Sequence, residues 1–126
     1  MEERFLPHRF DRNTVVYTGT HDNDTTRGWY ESLTASEAAT FHRYAPEAAR
    51  EPVWALVRLA WASVADTAVA PLQDVLDLGT RARMNVPGTA SGNWRWRVAA
   101  EQLTGDHFDR LGELTETYGR KPDAHV

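Results

Sequence analysis

The stretch Val15-Val16-Tyr17-Thr18-Gly19-Thr20-His21-Asp22-Asn23-Asp24-Thr25-Thr26 decides how this chain is read. Residues 15–20 are rich in β-branched and aromatic side chains and form a nearly continuous run. That pattern predicts a strand covered on both faces, as in a parallel sheet. The run passes directly into a polar cluster that cannot be buried without hydrogen-bonding partners. The cluster therefore sits at the C-terminal end of the strand.

Working outward, residues 1–14 read as an extended lead-in containing Pro7, with Phe5, Leu6 and Phe10 as anchors. Residues 34–45 read as a helix. Thr34 or Ser36 can cap it, and Glu37 follows Thr34 at the spacing of a capping box. Residues 52–64 read as a stronger helix, opened by Pro52, with Trp54, Val57, Trp61 and Val64 on one apolar face. Residues 65–70 suit a short second strand and 72–78 a short helix stopped by Gly79. Residues 84–93 combine Gly, Pro, Ser, Thr and Asn and read as a long loop, a class that is often functional. A last helix is expected over 106–118, with Thr104 or Asp106 as its cap and Gly119 after its end. Strand, helices, strand, helices is an α/β order within a single unit. Two strands do not complete a parallel sheet, so the pattern points to part of a larger α/β assembly.

Composition sets further limits. The chain has 126 residues, 14 Lys+Arg, 18 Asp+Glu, 5 His and no Cys, with a formal net charge of -4. Without thiols there is no disulfide framework and no Cys-ligated metal site. A mildly acidic chain is a poor match for nucleic acid. No apolar run approaches the ~20 residues of a membrane span. The start, Met1-Glu2-Glu3-Arg4, lacks the layout of a secretory signal, so the expected location is cytoplasmic. The chain is also too short to close a (β/α)₈ barrel, which takes about 250 residues.

The cluster His21-Asp22-Asn23-Asp24 admits several readings. It can be a turn and helix cap, since Asp and Asn favour both. A calcium loop fits poorly, because Arg27 and Leu33 stand where such a loop needs Gly and Glu. The adjacent His and Asp could serve a metal-dependent phosphohydrolase, with His8 as the one upstream histidine. Asn23-Asp24-Thr25 is formally a glycosylation sequon. Finally, Asp22 can be a catalytic carboxylate beside a hydrogen-bonding histidine at a strand tip.

Residues 15–26 with Gly28-Trp29-Tyr30 resemble the C-terminal part of the amylomaltase family, the 4-α-glucanotransferases or disproportionating enzymes. Ala70-Pro71-Leu72-Gln73-Asp74, Arg83-Met84-Asn85-Val86-Pro87-Gly88-Thr89 and Gly92-Asn93-Trp94-Arg95-Trp96-Arg97 resemble the same family's closing segment, and Phe5-Leu6-Pro7-His8 fits its lead-in. The resemblance runs from about residue 5 to about 118.

It implies the C-terminal part of a (β/α)₈ barrel with trailing helices, incomplete as a barrel. It implies a retaining transfer of a 1,4-α-glucan segment to the 4-hydroxyl of an acceptor, without a cofactor or metal. Such chemistry takes a nucleophile and an acid/base carboxyl group about 5–5.5 Å apart. By resemblance Asp22 is the third carboxylate, which stabilises the transition state, and His21 and Asn85 contact substrate; Asn93, able to offer both donor and acceptor to sugar hydroxyls, is expected to contact it as well. Asn85 and Asn93 also suit a second role, holding loop backbone. The nucleophile and acid/base belong to earlier strands, and no motif here matches them. The implied partners are maltooligosaccharides and the barrel portion N-terminal to this segment, and the chain alone is expected to be inactive. A non-catalytic glucan-binding or assembly piece is the alternative. Trp54 and Trp61 are expected in the core, Trp94 and Trp96 as loop scaffold, and His42 and His107 at the surface. Asp66, Asp74 and Asp77 are spare carboxylates. Arg81, Arg83, Arg95 and Arg97 are expected to pair with carboxylates of the rest of the barrel.

Overall fold

The computed structural model describes residues 6–123. Two short strands, β1 (Val15–Tyr17) and β2 (Thr67–Val69), pair in parallel, with Val15 opposite Thr67 and Tyr17 opposite Val69. Thr18 extends the ladder by donating its N–H to Val69 O at 3.1 Å. Between the strands lie α1 (Thr26–Glu31), α2 (Ala35–Tyr44) and α3 (Pro52–Ala62), and β2 is followed by α4 (Leu72–Val75) and α5 (Gly105–Thr117). Among the described residues the result is α/β with a helical crossover and no closed barrel. Among the described residues no helix is long and apolar enough to cross a membrane.

α3 organises the packing because it is apolar on more than one side. Trp54, Val57, Ala60 and Trp61 join Val75, with Val16, Ala68, Leu111 and Leu114 packed against them. On another side, Ala55 meets Phe41, Ala45 and Ala48, flanked by Tyr30, Leu56 and Leu59. A helix hydrophobic most of the way round belongs in an interior, which is why Trp54 and Trp61 are core, as expected. Val64 is not on that face: the helix stops at Ala62, Ser63 is extended, and Val64 is 53% exposed.

The strands depart from expectation in one respect. Residue 16 faces α3, whereas Val15 and Tyr17 are 47% and 53% exposed. Among the described residues β1 is therefore covered on one face only, since period-2 alternation turns the other face away from α3.

α2 carries the expected capping box: Glu37 N–H donates to Thr34 Oγ1 at 3.2 Å and Thr34 N–H to Glu37 Oε1 at 2.9 Å. The Thr34 donor holds the Glu37 carboxyl below its ordinary pKa. α5 ends as expected at Gly119, whose φ of +69° suits the left-handed position after a helix. There Arg120 N–H reaches Thr115 O and Gly119 N–H reaches Glu116 O, satisfying two terminal carbonyls. The Arg120 guanidinium then donates to the carbonyls of Trp61, Ser63 and Ala65, tying the chain beyond α5 to the end of α3. At the other end of the chain, the lead-in is not uniformly extended: Pro7–Arg9 make a 3₁₀ turn. Leu6 and Phe10 are half-buried, while Phe5 lies outside the described residues.

Candidate active site

The loop after β1 and the segment 80–94 after α4 meet at the C-terminal ends of the parallel strands. The β1 loop is built by short polar side chains. Asn23 Oδ1 accepts from Thr20 N–H at 2.8 Å and Thr20 Oγ1 at 3.1 Å, closing a tight turn around His21 and Asp22. Thr25 ends the loop as the cap of α1, its Oγ1 accepting from Gly28 N–H at 3.1 Å. This six-residue helix is absent from the sequence expectation. Its cap is hidden in the polar cluster, and a glycine inside so short a helix masks the pattern.

Gly28 is required by close approach. A Cβ there would lie 2.5–2.6 Å from the Asp24 carboxylate oxygens and would also collide with Thr80 Oγ1. Those groups bond each other, Thr80 Oγ1 donating to Asp24 Oδ2 at 3.0 Å.

His21 and Asp22 stand on the crown of the loop. His21 Nε2 is 3.3 Å from Asp22 Oδ1, and both side chains are about half exposed, at 55% and 49%. Across 63 residues, Asn85 Nδ2 donates to Asp22 Oδ1 at 2.7 Å, and Asn85 N–H donates to His21 O at 3.1 Å. Among the described residues only Oδ1 of Asp22 is engaged, so Oδ2 remains an open acceptor. His21, Asp22 and Asn85 thus come together.

Asn93 sits apart from them, in the closing of its own loop. It accepts from Val86 N–H at 2.8 Å and donates to Thr89 Oγ1 at 2.9 Å and Thr89 O at 3.3 Å. Of the spare carboxylates, Asp77 makes a two-pronged pair with Arg27, both contacts at 2.9 Å, which raises the Arg27 pKa. Asp74 is buried beneath the loop.

Two further residues, expected in other roles, join the site. Arg83 was expected to pair with carboxylates elsewhere. Instead its Nη2 donates to Asp22 O at 2.8 Å and its Nε to Asn85 O at 2.9 Å. Two bare carbonyls at the crossing of two loops give a guanidinium fork a local partner. The Trp94 ring lies beside that of His21, tilted by 34° with centroids 5.1 Å apart, and is 59% exposed. Its φ of +60° is strained for a bulky residue, and its N–H is held by Met84 O at 2.6 Å. Such strain collects at functional positions, yet no sequence signal marks it. His42 is half-buried rather than at the surface, its Nε2 2.8 Å from the Tyr30 hydroxyl. No group of three or more His, Cys, Asp or Glu side chains suited to a metal ion occurs among the described residues.

A family model described as 4-alpha-glucanotransferase matches residues 1–103. The chain belongs to the 4-alpha-glucanotransferase family. It is 48% identical over 128 residues to the 4-alpha-glucanotransferase of Thermus thermophilus, covering 95% of this chain and 26% of that protein. It is 47% identical to the Synechocystis 4-alpha-glucanotransferase, covering 93% of this chain and 24% of that one. Among solved structures it is similar to an amylomaltase from Streptococcus agalactiae in complex with acarbose. That match has a TM-score of 0.88 and 38% identity, over 93% of this chain and 24% of the other. The chain thus spans about a quarter of the length of the relatives it matches.

Proposed function

We propose that these residues form the late strands and trailing helices of a (β/α)₈ transferase that moves a 1,4-α-glucan segment to the 4-hydroxyl of an acceptor glucan with retention. The observation that carries the proposal is the Asp22–Asn85 hydrogen bond of 2.7 Å at the C-terminal ends of the parallel strands. That end is where enzymes on this fold place their chemistry. The family membership and the similarity to a solved amylomaltase support it.

In this reading Asp22 binds hydroxyls of the sugar whose anomeric bond is cleaved. The transition state is oxocarbenium-like, with positive charge over C1 and the ring oxygen. A carboxylate fixed in place beside it, hydrogen-bonded to the sugar hydroxyls, stabilises that state more than the ground state. Asn85 and His21 both engage Oδ1, which leaves Oδ2 for substrate. His21 and Asn85 stand close enough to share the same sugar. Asn93 acts on substrate through the shape of the 86–93 loop and any hydroxyl it reaches beyond those bonds. The nucleophile and the acid/base come from polypeptide outside these residues.

The test is product analysis with maltotriose. The 126-residue chain alone is expected to yield neither glucose nor longer oligomers. A chimera in which it replaces the segment it matches in the Thermus thermophilus relative is expected to yield both. Robust disproportionation by the chain alone, or none by a folded chimera, would overturn the reading.

A further inference from the structure

We propose that Asp74 is a positioning residue for Asp22: one buried carboxylate fastens both feet of the loop that carries His21 and Asp22, and so fixes where Asp22 points. The inference rests on the proposed role of Asp22, but its structural half stands apart from it. Asp74 is 1% exposed, in α4 beyond the second strand. Its Oδ2 accepts from Thr18 Oγ1 at 2.7 Å, where β1 ends, and from Thr26 Oγ1 at 2.7 Å, where α1 begins. Its Oδ1 accepts from Thr26 N–H at 2.9 Å. The chain therefore leaves one carboxylate at residue 18 and returns to it at residue 26.

Every donor in this set is neutral. A buried carboxylate needs such bonds, and each is strengthened by the charge on the acceptor. The crown of the loop above is half exposed at His21 and Asp22. It lies over a cavity of about 110 Å³ lined by Thr20, His21 and Asn23 from the loop and by Pro71, Gln73 and Asp74 below. Where packing does not dictate a loop's position, its tethers do. Arg83, Asn85 and Thr80 hold the loop to the segment 80–85. Asp74 holds its ends to the element from which that segment departs. Releasing the ends lets the Asp22 carboxylate drift over the cavity, and a misplacement of about 1 Å at a reacting centre is enough to lose about 100-fold in rate.

The test uses Asp74→Asn, which turns one acceptor oxygen into a donor, and Thr18→Val, which deletes one hydroxyl while keeping the β-branched shape. Thr18→Val leaves Asp74 its Thr26 donors, so the fold survives even where Asp74→Asn does not express. In the 126-residue chain, hydrogen exchange at Asn23 and Asn85 is expected to rise about tenfold in either variant, while Val57 and Ala60 in α3 keep their protection. Unchanged exchange at the loop, or an equal rise in α3, overturns the proposal, because the latter marks general destabilisation. In the chimera, kcat for maltotriose is expected to fall about 10- to 100-fold with KM within about twofold. Unchanged kcat also overturns it. Asp22→Asn is run beside them. If that variant keeps full kcat, the functional reading of Asp22 fails, while the exchange result still decides whether Asp74 holds the loop.

Discussion

At the scale of single residues, the site depends on contacts that a sequence pattern does not display. Asp22 and Asn85 stand 63 positions apart and share one hydrogen bond. Each was singled out beforehand by resemblance, and their meeting is a fact of the fold. Arg83 and Asp74 lie in stretches that carry the resemblance, but nothing in those stretches assigns them a contact. An arginine that donates to two carbonyls and a buried aspartate that accepts from two threonines look, in sequence, like ordinary charged residues. Gly28 offers the sharpest stability test. The space a Cβ would fill is already held by Asp24 and Thr80. Gly28→Ala is expected to destabilise the chain by about 1–3 kcal/mol through overpacking, read as a lower midpoint in urea unfolding. Asn93→Ala should act differently from Asn85→Ala. The first removes bonds that close the 86–93 loop, so its effect is expected as faster amide exchange across residues 86–93. The second removes a donor from Asp22 and is expected to appear as lost turnover with the loop intact.

At the scale of elements, the helices with local signals are the legible ones. The Thr34–Glu37 spacing announces α2, the apolar periodicity announces α3, and Gly119 announces the end of α5. α1 escapes because its cap lies inside the functional cluster. Thr34→Ala breaks the capping box and is expected to lower stability by about 0.5–2 kcal/mol, measured by chemical denaturation.

α5 docks on α3 through Glu51, whose carboxylate receives Arg110 at 3.2 and 2.6 Å, with the Arg110 guanidinium 4.5 Å from the centre of a Trp54 ring. The Arg110 contact holds the Glu51 carboxyl below its ordinary value of 4.5. A carboxyl with a lowered folded-state pKa adds stability that is present above its unfolded value and is lost as pH falls through the folded one. The contact is partly exposed, so its contribution is small. Stability is therefore expected to fall as pH drops below about 4.5, with a shallower fall in Glu51→Gln, as read by thermal melts across that range.

At the scale of the whole molecule, the sequence predicts an α/β order with too few strands, and the structure agrees. The sequence does not show which face of each strand is bare, because that depends on which side the helices pack, and among the described residues they pack on the Val16 side. The outer face presents Val15, Tyr17 and Val69, with 47%, 53% and 37% exposure, beside strand edges that no other described residues pair. Such edges and apolar faces promote association. The isolated chain is expected to elute above monomer size on gel filtration, and Tyr17→Lys to shift it toward monomer. A monodisperse, cooperatively melting monomer would count against this picture.

In the proposed transferase, Asp22 acts chiefly in the transition state. An interaction made chiefly in the transition state lowers kcat and kcat/KM together when removed, and leaves KM nearly unchanged. The decisive measurement is the steady-state kinetics of the chimera with Asp22→Asn on maltotriose. The account expects kcat to fall by at least about 100- to 1,000-fold with KM little altered. A raised KM with kcat retained would make Asp22 a ground-state sugar contact, and unchanged kinetics would place the chemistry elsewhere; either would contradict the account.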